Sequence, residues 1–333
     1  MTIMNRIILA VIFTATLISY YTTTEVQATT NVGGNSLSNN STTMNSTSFT
    51  PTITEDKMQV IASFYPIFEF VKKVGGDKVE LSSLIPIGTE PHDFEPTIRQ
   101  IQSAEAADMI VFNGAGFEGT RMENMNATFV VDTSDGLNLT MDTNDHADEN
   151  DREHNKASFD PHIWLDPLLA KHQVEKIRDG LVKIDPSNAA YYNENAKRFL
   201  TELDNLDSTI KSELSNCEKK DFIAFHNAFS YFAKRYGLTQ HNIQGLSPEA
   251  EILPQRLQQI IGLARDMGLD TIYSEELADP RFANVIAQEI PNGKVLVLSP
   301  IEGIDKEEQN AGIGYLDKMK ENIENLKLGL KCN

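Results

Sequence analysis

The feature that most constrains this sequence is a repeated alternation of short β-prone runs with amphipathic segments. A β-prone run begins near Met58, and apolar residues then recur at helical spacing from Ile67 to Val74. In the next amphipathic segment, Ile98 and Ile101 are expected to face inward. The pattern predicts further strands at 79–85, 109–113, 222–225, 271–273 and 295–298, and further helices at 97–107, 228–236, 254–267, 280–289 and 313–330. Such alternation predicts an α/β fold with two parallel-sheet lobes, each covered on both faces.

A long amphipathic stretch separates the two halves. After Pro186, apolar side chains recur at a period of 3.6 residues up to Leu214, which predicts one helix of about 42 Å over residues 187–214. A helix of that length can join two lobes stiffly. A coiled-coil seam is the alternative, but the charged residues that would flank such a seam do not recur along the whole stretch. We therefore expect an N-terminal lobe over 58–185, an interdomain helix over 186–215 and a C-terminal lobe over 216–333.

The chain before residue 58 has a different composition. Residues 1–28 combine Arg6, an apolar run and small residues near Ala28, which is typical of a secretory signal peptide. The apolar run is shorter than the roughly 20 residues of a spanning helix, although an uncleaved segment would tether the protein to the membrane. Residues 29–57 are rich in Ser, Thr and Asn and are predicted to be a disordered tether. We expect an exported, extracytoplasmic protein.

The charge balance narrows the choice of partners. The chain carries 29 Lys and Arg against 48 Asp and Glu, a formal net charge of −19. This excess repels nucleic-acid phosphates and anionic lipid headgroups, so nucleic acid is not an expected partner. Cationic partners are favoured instead.

Three histidines are the candidate metal-binding residues. His92 lies in a proline-bounded loop, His162 lies between two Asp-Pro steps beside the only tryptophan, and His226 follows the strand at 222–225. Loops after parallel strands are where open α/β sheets bind ligands, so two facing lobes could bring the imidazoles together. Converging imidazoles favour Zn²⁺ over Ca²⁺ or Mg²⁺, although a single loop histidine is commonly just solvated. Nearby acids could orient the rings or cap helices: Glu90, Asp93, Asp160 and Asp166.

Two patterns favour other functions. Residues 111–119 contain a formal GxGxxG after a strand, which is typical of dinucleotide binding, but residues 120–126 make a poor helix. Three histidines with an open position are also the pattern of zinc hydrolases, with Glu276 or Glu90 as base. The sequence has no HExxH helix and no nucleophile elbow. A non-enzymatic metal-binding protein is therefore favoured.

The motifs, taken in order, resemble those of a known family. The sequence contains VIASFYPIFEFVKKVGGD, GTEPHDFEP, DPHIWLDP, FHNAFSYFAKRYGL and GLSPEAEILP. They are similar to motifs of the zinc- and manganese-type solute-binding proteins of ABC importers, and the resemblance extends from about Met58 to Leu330. It implies two parallel-sheet α/β lobes joined by one long rigid helix, with the metal between them. It also implies delivery of the metal to an ABC transporter permease at the membrane; we expect a monomer. In this family the glycine-rich segment is a structural turn.

The resemblance implies that His92, His162 and His226 are metal ligands. Manganese-type members, and some zinc-type ones, carry an acidic ligand after the last strand, typically an Asp that follows a VLxL motif, but Ser299 occupies that place here. The resemblance is therefore to a zinc-type site, with water or a nearby acid such as Glu276 as the fourth ligand. Mn²⁺, which prefers oxygen ligands, is less expected than Zn²⁺. A Mn²⁺-binding receptor or a surface adhesin of the same fold is the alternative.

The segment 141–158 carries His146 and His154 among acidic residues. Zinc-type members of the family often have an acidic, His-rich loop here, which implies weak capture of metal near the cleft. A plain surface insertion is the alternative.

The chain has two cysteines, Cys217 and Cys332. An even number in an exported protein favours a disulfide, which would pin the C-terminal helix to the start of the second lobe. Two free thiols are the alternative, and thiolate ligation of zinc is less favoured because Cys332 is next to the last residue.

Overall fold

The computed structural model describes residues 57–92, 94–119, 125–141, 159–248 and 252–333. Within them lie two four-stranded sheets in which every pair of neighbouring strands is parallel. The first sheet contains β1 (Met58–Ala62), β2 (Val79–Ser83), β3 (Met109–Phe112) and β4 (Val130–Asp132), in the order β2-β1-β3-β4. The second contains β5 (Asp221–Ala224), β6 (Thr239–Asn242), β7 (Thr271–Ser274) and β8 (Lys294–Val297), in the order β6-β5-β7-β8. The predicted α/β class is confirmed.

In the described part of the chain, helices follow most of these strands. They are α1 (Tyr65–Gly75), α2 (Ile98–Ala106), α3 (Pro167–Ile184), α4 (Ala189–Glu213), α5 (Ser230–Tyr236), α6 (Pro254–Met267), α7 (Arg281–Glu289), α8 (Lys306–Ala311) and α9 (Tyr315–Leu330). In the described part of the chain, none of them is both long enough and apolar enough to cross a membrane. The predicted signal peptide and nearly all of the predicted tether lie outside the described residues. The proposed lobe boundaries stay a prediction.

The long helix between the sheets is α4, which has 25 residues and is therefore about 38 Å long. It follows a 3₁₀ turn at Pro186–Asn188, where the Asp185 carboxylate accepts a hydrogen bond from the backbone N–H of Asn188. Its buried face recurs at helical spacing from Ala196 through Leu203 to Ile210. The helix contacts α1, α3 and α9, so it packs against elements attached to both sheets.

The predicted inward orientation of Ile98 is wrong. Ile98 is 76% exposed, while Ile101 is partly buried and Ala104 is fully buried. At about 100° per residue, Ile98 lies about 120° around the helix from Ala104, whereas Ile101 lies only about 60° away. Ile98 also directly follows Thr97, which caps the helix, so the first turn is at the surface.

The largest apolar core crosses from one sheet to the other. It includes Phe64 and Trp164 beside the first sheet, Phe222 and Leu298 in and after strands of the second, and Tyr315 in α9. Two hydrogen bonds follow the same route. The Trp164 indole N–H donates to the carbonyl of Pro300, and the Tyr315 hydroxyl donates to the carbonyl of Trp164. The two lobes therefore share one packed interior.

The predicted disulfide between Cys217 and Cys332 is confirmed. The two residues also form an isolated antiparallel β-bridge. Beside them, the backbone N–H groups of Glu218 and Lys219 donate to the carbonyls of Lys331 and Leu330. The end of α9 is thus fastened to the segment that enters β5.

Candidate metal centre

The three predicted histidines lie at the carboxyl ends of parallel strands or in equivalent loops. His92 lies between β2 and α2, and His226 directly follows β5. His162 immediately precedes a 3₁₀ turn at Ile163–Leu165 that leads into α3. The side chains of His162 and His226 are fully buried, and that of His92 is 10% exposed. Each imidazole is therefore withdrawn from bulk water.

The structure brings the three imidazoles together with a carboxylate, Glu302, in the segment after β8. From Glu302 Oε1, the distances to the Nε2 atoms are 3.1 Å for His92, 3.3 Å for His162 and 3.4 Å for His226. The Nε2 atoms of His162 and His226 are 3.2 Å apart. One ligand atom from each of the four residues lies within 4.8 Å of the others.

These distances match the geometry of a tetrahedral ion. Ligand atoms about 2.0–2.1 Å from a tetrahedral Zn²⁺ are about 3.3–3.4 Å from one another. The three distances from Glu302 and the one between His162 and His226 lie between 3.1 and 3.4 Å. The donor set, three imidazole nitrogens and one carboxylate oxygen, is also one that Zn²⁺ accepts. The residues present therefore fit a zinc ion.

Two further carboxylates orient the buried rings. His162 Nδ1 lies 2.8 Å from Asp160 Oδ1, and His226 Nδ1 lies 2.7 Å from Glu275 Oε1. An ionised carboxylate only accepts hydrogen bonds, so each Nδ1 carries the proton and each Nε2 presents a lone pair to the centre. The same two carboxylates also accept the backbone N–H groups of His162 and His226. In each of the two histidines, a single carboxylate therefore fixes both the ring and the backbone N–H.

The electrostatics of the cluster favour positive charge at its middle. Burial lowers the pKa of His92. Burial acts in the same direction on His226, but the charges of Glu275 and Glu302 outweigh it and raise the pKa of His226 well above its usual value. His162 has a raised pKa because its hydrogen bonds to Asp160 and Glu302 outweigh its burial. Burial opposes ionisation of Glu302, yet the surrounding imidazoles hold its pKa well below the usual range.

Comparison with known proteins shows the family of this chain. The family model "Zinc-uptake complex component A periplasmic" (ZnuA) matches residues 60–329. The chain belongs to the ZnuA family. The high-affinity zinc uptake system protein ZnuA of Bacillus subtilis is 39% identical over 280 residues, which cover 82% of this chain and 87% of that protein.

Solved structures of relatives have the same fold. The Zn(II)-bound ZnuA-like domain of Streptococcus pneumoniae AdcA has a TM-score of 0.70 and 31% identity, covering 83% of this chain and 99% of that one. The laminin-binding protein Lmb of Streptococcus agalactiae has a TM-score of 0.72 and 30% identity, covering 83% of this chain and 100% of that one. Membership of the ZnuA family confirms the predicted family and the two-lobed fold.

In this ZnuA-family protein the carboxylate of the cluster is Glu302, not Glu276. Glu276 Oε1 instead lies 2.6 Å from Lys318 Nζ. Its neighbour Glu275 contacts His226, so the two adjacent acids have different partners. Ser299, at the place of the family's Asp, hydrogen-bonds through its backbone to Asn322.

Glu302 reaches the cluster because the chain turns sharply before it. Ile301 has φ of +58°, a left-handed conformation that is unusual for a β-branched residue. Position relative to the last strand indicates Ser299, because the left-handed turn at Ile301 leaves no signal in sequence spacing. The available signal was an acidic residue followed by glycine, Glu302-Gly303, within the loop after the last strand.

The other predicted acids have separate roles. The Glu90 carboxylate accepts the backbone N–H of His92, and burial together with the charge of Glu302 raises the pKa of Glu90 to about 8. Asp166 caps α3 by accepting the N–H of Leu168. Asp93 and residues 142–158, with both loop histidines, lie outside the described residues.

The glycine-rich segment forms a closed turn. The buried Glu118 carboxylate accepts hydrogen bonds from the backbone N–H groups of Asn113 and Gly114. Gly114, Gly116 and Gly119 all have positive φ. Glu118 thus occupies the N–H groups that a dinucleotide phosphate would need.

Proposed function

We propose that this protein captures Zn²⁺ outside the cytoplasm through His92, His162, His226 and Glu302 and delivers it to the permease of an ABC importer. Family membership supports zinc uptake as the function, and the ZnuA family is one of non-enzymatic solute-binding proteins. The observation that carries the assignment of these residues is the spacing of the ligand atoms. The three distances from Glu302 and the distance between His162 and His226 are 3.1–3.4 Å, close to the edge length of a zinc tetrahedron.

In the proposed capture step, Zn²⁺ replaces protons. The lone pairs of His162 Nε2 and His226 Nε2 face each other across 3.2 Å with the Glu302 carboxylate beside them. Such an arrangement requires positive charge, which protons supply at low pH and Zn²⁺ supplies at higher pH. Asp160 and Glu275 hold the rings in place throughout, so little reorganisation accompanies binding.

The fourth ligand also bears on the choice between functions. A catalytic zinc site keeps one position open for water or substrate, whereas Glu302 would complete a four-coordinate protein site. A zinc hydrolase is therefore not favoured, because no coordination position would be left open for water or substrate. Mn²⁺ prefers oxygen ligands, and a set of three nitrogens and one oxygen favours Zn²⁺ over it.

Delivery is proposed to involve a monomer that docks onto a membrane permease with its lobes nearly fixed. The core shared by both lobes and the 25-residue helix α4 support limited lobe movement. Tethering of the chain to the membrane through its N-terminal segment is part of the same proposal. The similarity to Lmb, a protein described as having adhesin and metal-transporting activity, makes surface adhesion a second candidate function.

Calorimetric titration with Zn²⁺ tests the proposal. Wild-type protein should bind one ion, and His162→Ala and Glu302→Gln should each bind much more weakly because each loses one of the four ligands. Asp204→Asn, which changes an exposed acid that pairs with Lys171, is the matched control and should bind like wild type. Equal affinity in wild type and His162→Ala would remove His162 from the site.

A further inference from the structure

Lys318 in α9 is a buried lysine whose ammonium meets three carboxylates. Its side chain is 2% exposed, and Nζ lies 2.6 Å from Glu276, 2.8 Å from Glu308 and 3.1 Å from Glu321. An ammonium has three donors and no acceptor, so these partners satisfy it completely. Lysine is almost never buried unless it is paired. The buried ammonium therefore holds three carboxylates together.

Two of the partners belong to the segments that bring acids to the metal centre. Glu276 directly follows Glu275, whose Oε1 lies 2.7 Å from His226 Nδ1. Glu308 lies in α8, which begins at Lys306, shortly after Glu302. The third, Glu321, is on α9 itself and is 54% exposed. The ammonium thus joins the loop after β7 to the segment after β8.

The same face of α9 holds the beginning of the second segment. Asn322, four residues after Lys318 and so on the same side of the helix, accepts the backbone N–H of Ser299 at 2.7 Å. Its amide also donates to the Ser299 carbonyl at 2.7 Å. Asn322 and Lys318 therefore fix the chain before and after Glu302, at Ser299 and at Glu308.

We propose that Lys318 is a positioning residue for the metal centre. By tying Glu276 to Glu308, its ammonium sets the separation between the loop that orients His226 and the segment that carries Glu302. Without the ammonium, two like charges would face each other between these segments and push them apart. This inference rests on the proposed capture of zinc by His226 and Glu302.

The test is Lys318→Met in the full chain, with Lys327→Met as the matched control. Lys327 lies on the same helix and is also paired, but its partners are Glu213 of α4 and Glu324, away from the metal loops. Zinc affinity and the rate of zinc dissociation are measured by chelator competition. The visible absorption bands of bound Co²⁺ report coordination geometry, and thermal unfolding of the metal-free protein reports stability separately.

Lys318→Met should lower zinc affinity by about tenfold or more, mainly through faster dissociation, and should shift the Co²⁺ bands. Lys327→Met should change neither. A merely structural lysine predicts lower stability with wild-type affinity and a wild-type Co²⁺ spectrum, and that result overturns the proposal. An equal loss of affinity in Lys327→Met also overturns it.

Should Lys318→Met fail to fold, Glu276→Gln decides the question. This change keeps the side-chain volume and leaves Lys318 with Glu308 and Glu321, so only the tie to the His226 loop is weakened. Zinc affinity should fall about threefold, which corresponds to one weakened hydrogen bond; unchanged affinity overturns the proposal. Wild-type zinc affinity in His162→Ala would instead refute the proposed function. A different variant therefore tests each of the two proposals.

Discussion

At the scale of single residues, the candidate site depends on acids that do not face its centre. Asp160 and Glu275 each hold a histidine by its ring Nδ1 and its backbone N–H. Such outer contacts fix which imidazole nitrogen is free to bind a metal. The sequence identified Asp160 as an orienting acid with helix capping as the alternative, and the structure gives it the orienting contact. Glu275 was missed because its neighbour Glu276 looked equivalent in sequence.

Asp160→Asn should weaken zinc binding by about 10- to 100-fold. The amide keeps the volume but loses the charge that favours the Nδ1–H tautomer of His162. Calorimetric or competition titration measures the effect. Asp179→Asn, which alters an exposed acid paired with Arg178, is the control and should bind zinc normally. Normal zinc binding by Asp160→Asn would mean that packing alone orients the ring.

Zinc affinity should fall with decreasing pH, and the fall should begin above the ordinary histidine pKa of about 6.5. The pKa values of His162 and His226 are raised in the metal-free protein, so protons compete with Zn²⁺ at a higher pH than at a free imidazole. Competition titrations between about pH 5.5 and pH 8 measure the slope. An affinity that does not change over this range would contradict the assignment of these histidines as ligands.

The stability of the metal-free protein should change in the opposite direction. Raised pKa values in the folded state mean that His162 and His226 stabilise the fold fully below about pH 6.5, and that this contribution is lost as pH rises through their folded values. The lowered pKa of Glu302 changes the stability of the fold only at acidic pH. The increase in Tm caused by Zn²⁺ should therefore grow between about pH 6 and pH 8.

At the scale of elements, the sequence predicted most strands and helices but not all. The long helix was predicted over 187–214 and observed as Ala189–Glu213, because its apolar period is uninterrupted. Helix α3 was not predicted, although Asp166 caps it, Pro167 begins it and apolar residues recur within it. Strands β4 and β6 were also missed, since three or four residues with partly exposed faces give little periodicity.

Helix α5 is the element that fastens the His226 loop to the first lobe. The Arg235 Nε lies 2.5 Å from both carboxylate oxygens of Asp166, which is 2% exposed. One turn earlier, the Tyr231 hydroxyl donates to the Asp160 carbonyl and accepts the N–H of Thr140. Both contacts reach the neighbourhood of His162. α5 therefore couples the two histidine loops across the lobes.

Arg235→Met should lower the free energy of unfolding by about 3 kcal/mol, because it leaves the Asp166 carboxylate buried without its ion-pair partner. Urea unfolding measures the loss. Arg178→Met, which removes an arginine from an exposed pair with Asp179, should cost less than about 1 kcal/mol. Adding Asp166→Asn to Arg235→Met should recover part of the loss, and a double variant less stable than both single variants would argue against an unpaired charge as the cause.

At the scale of the whole molecule, the candidate site and the covalent cross-link lie at opposite ends of the second sheet. The site lies after the carboxyl ends of β5, β7 and β8, whereas Cys217 precedes the start of β5. A four-residue strand spans about 13 Å. We therefore expect global stability and local site geometry to have separate supports. The disulfide restrains the chain, while Asp160, Glu275 and, in our proposal, Lys318 hold the loops of the candidate site.

Replacing both cysteines tests this separation. Cys217→Ser with Cys332→Ser should lower the free energy of unfolding by about 2–4 kcal/mol, because the bridge closes a long loop, with a sequence separation of 115. Zinc affinity of the folded protein should stay as in wild type, since the bridge lies at the opposite end of the second sheet from the ligands. Urea unfolding of the metal-free form and calorimetric titration measure the two quantities independently. If affinity instead falls together with stability, strain passes along β5 from the bridge to His226, and the second lobe acts as one mechanical unit.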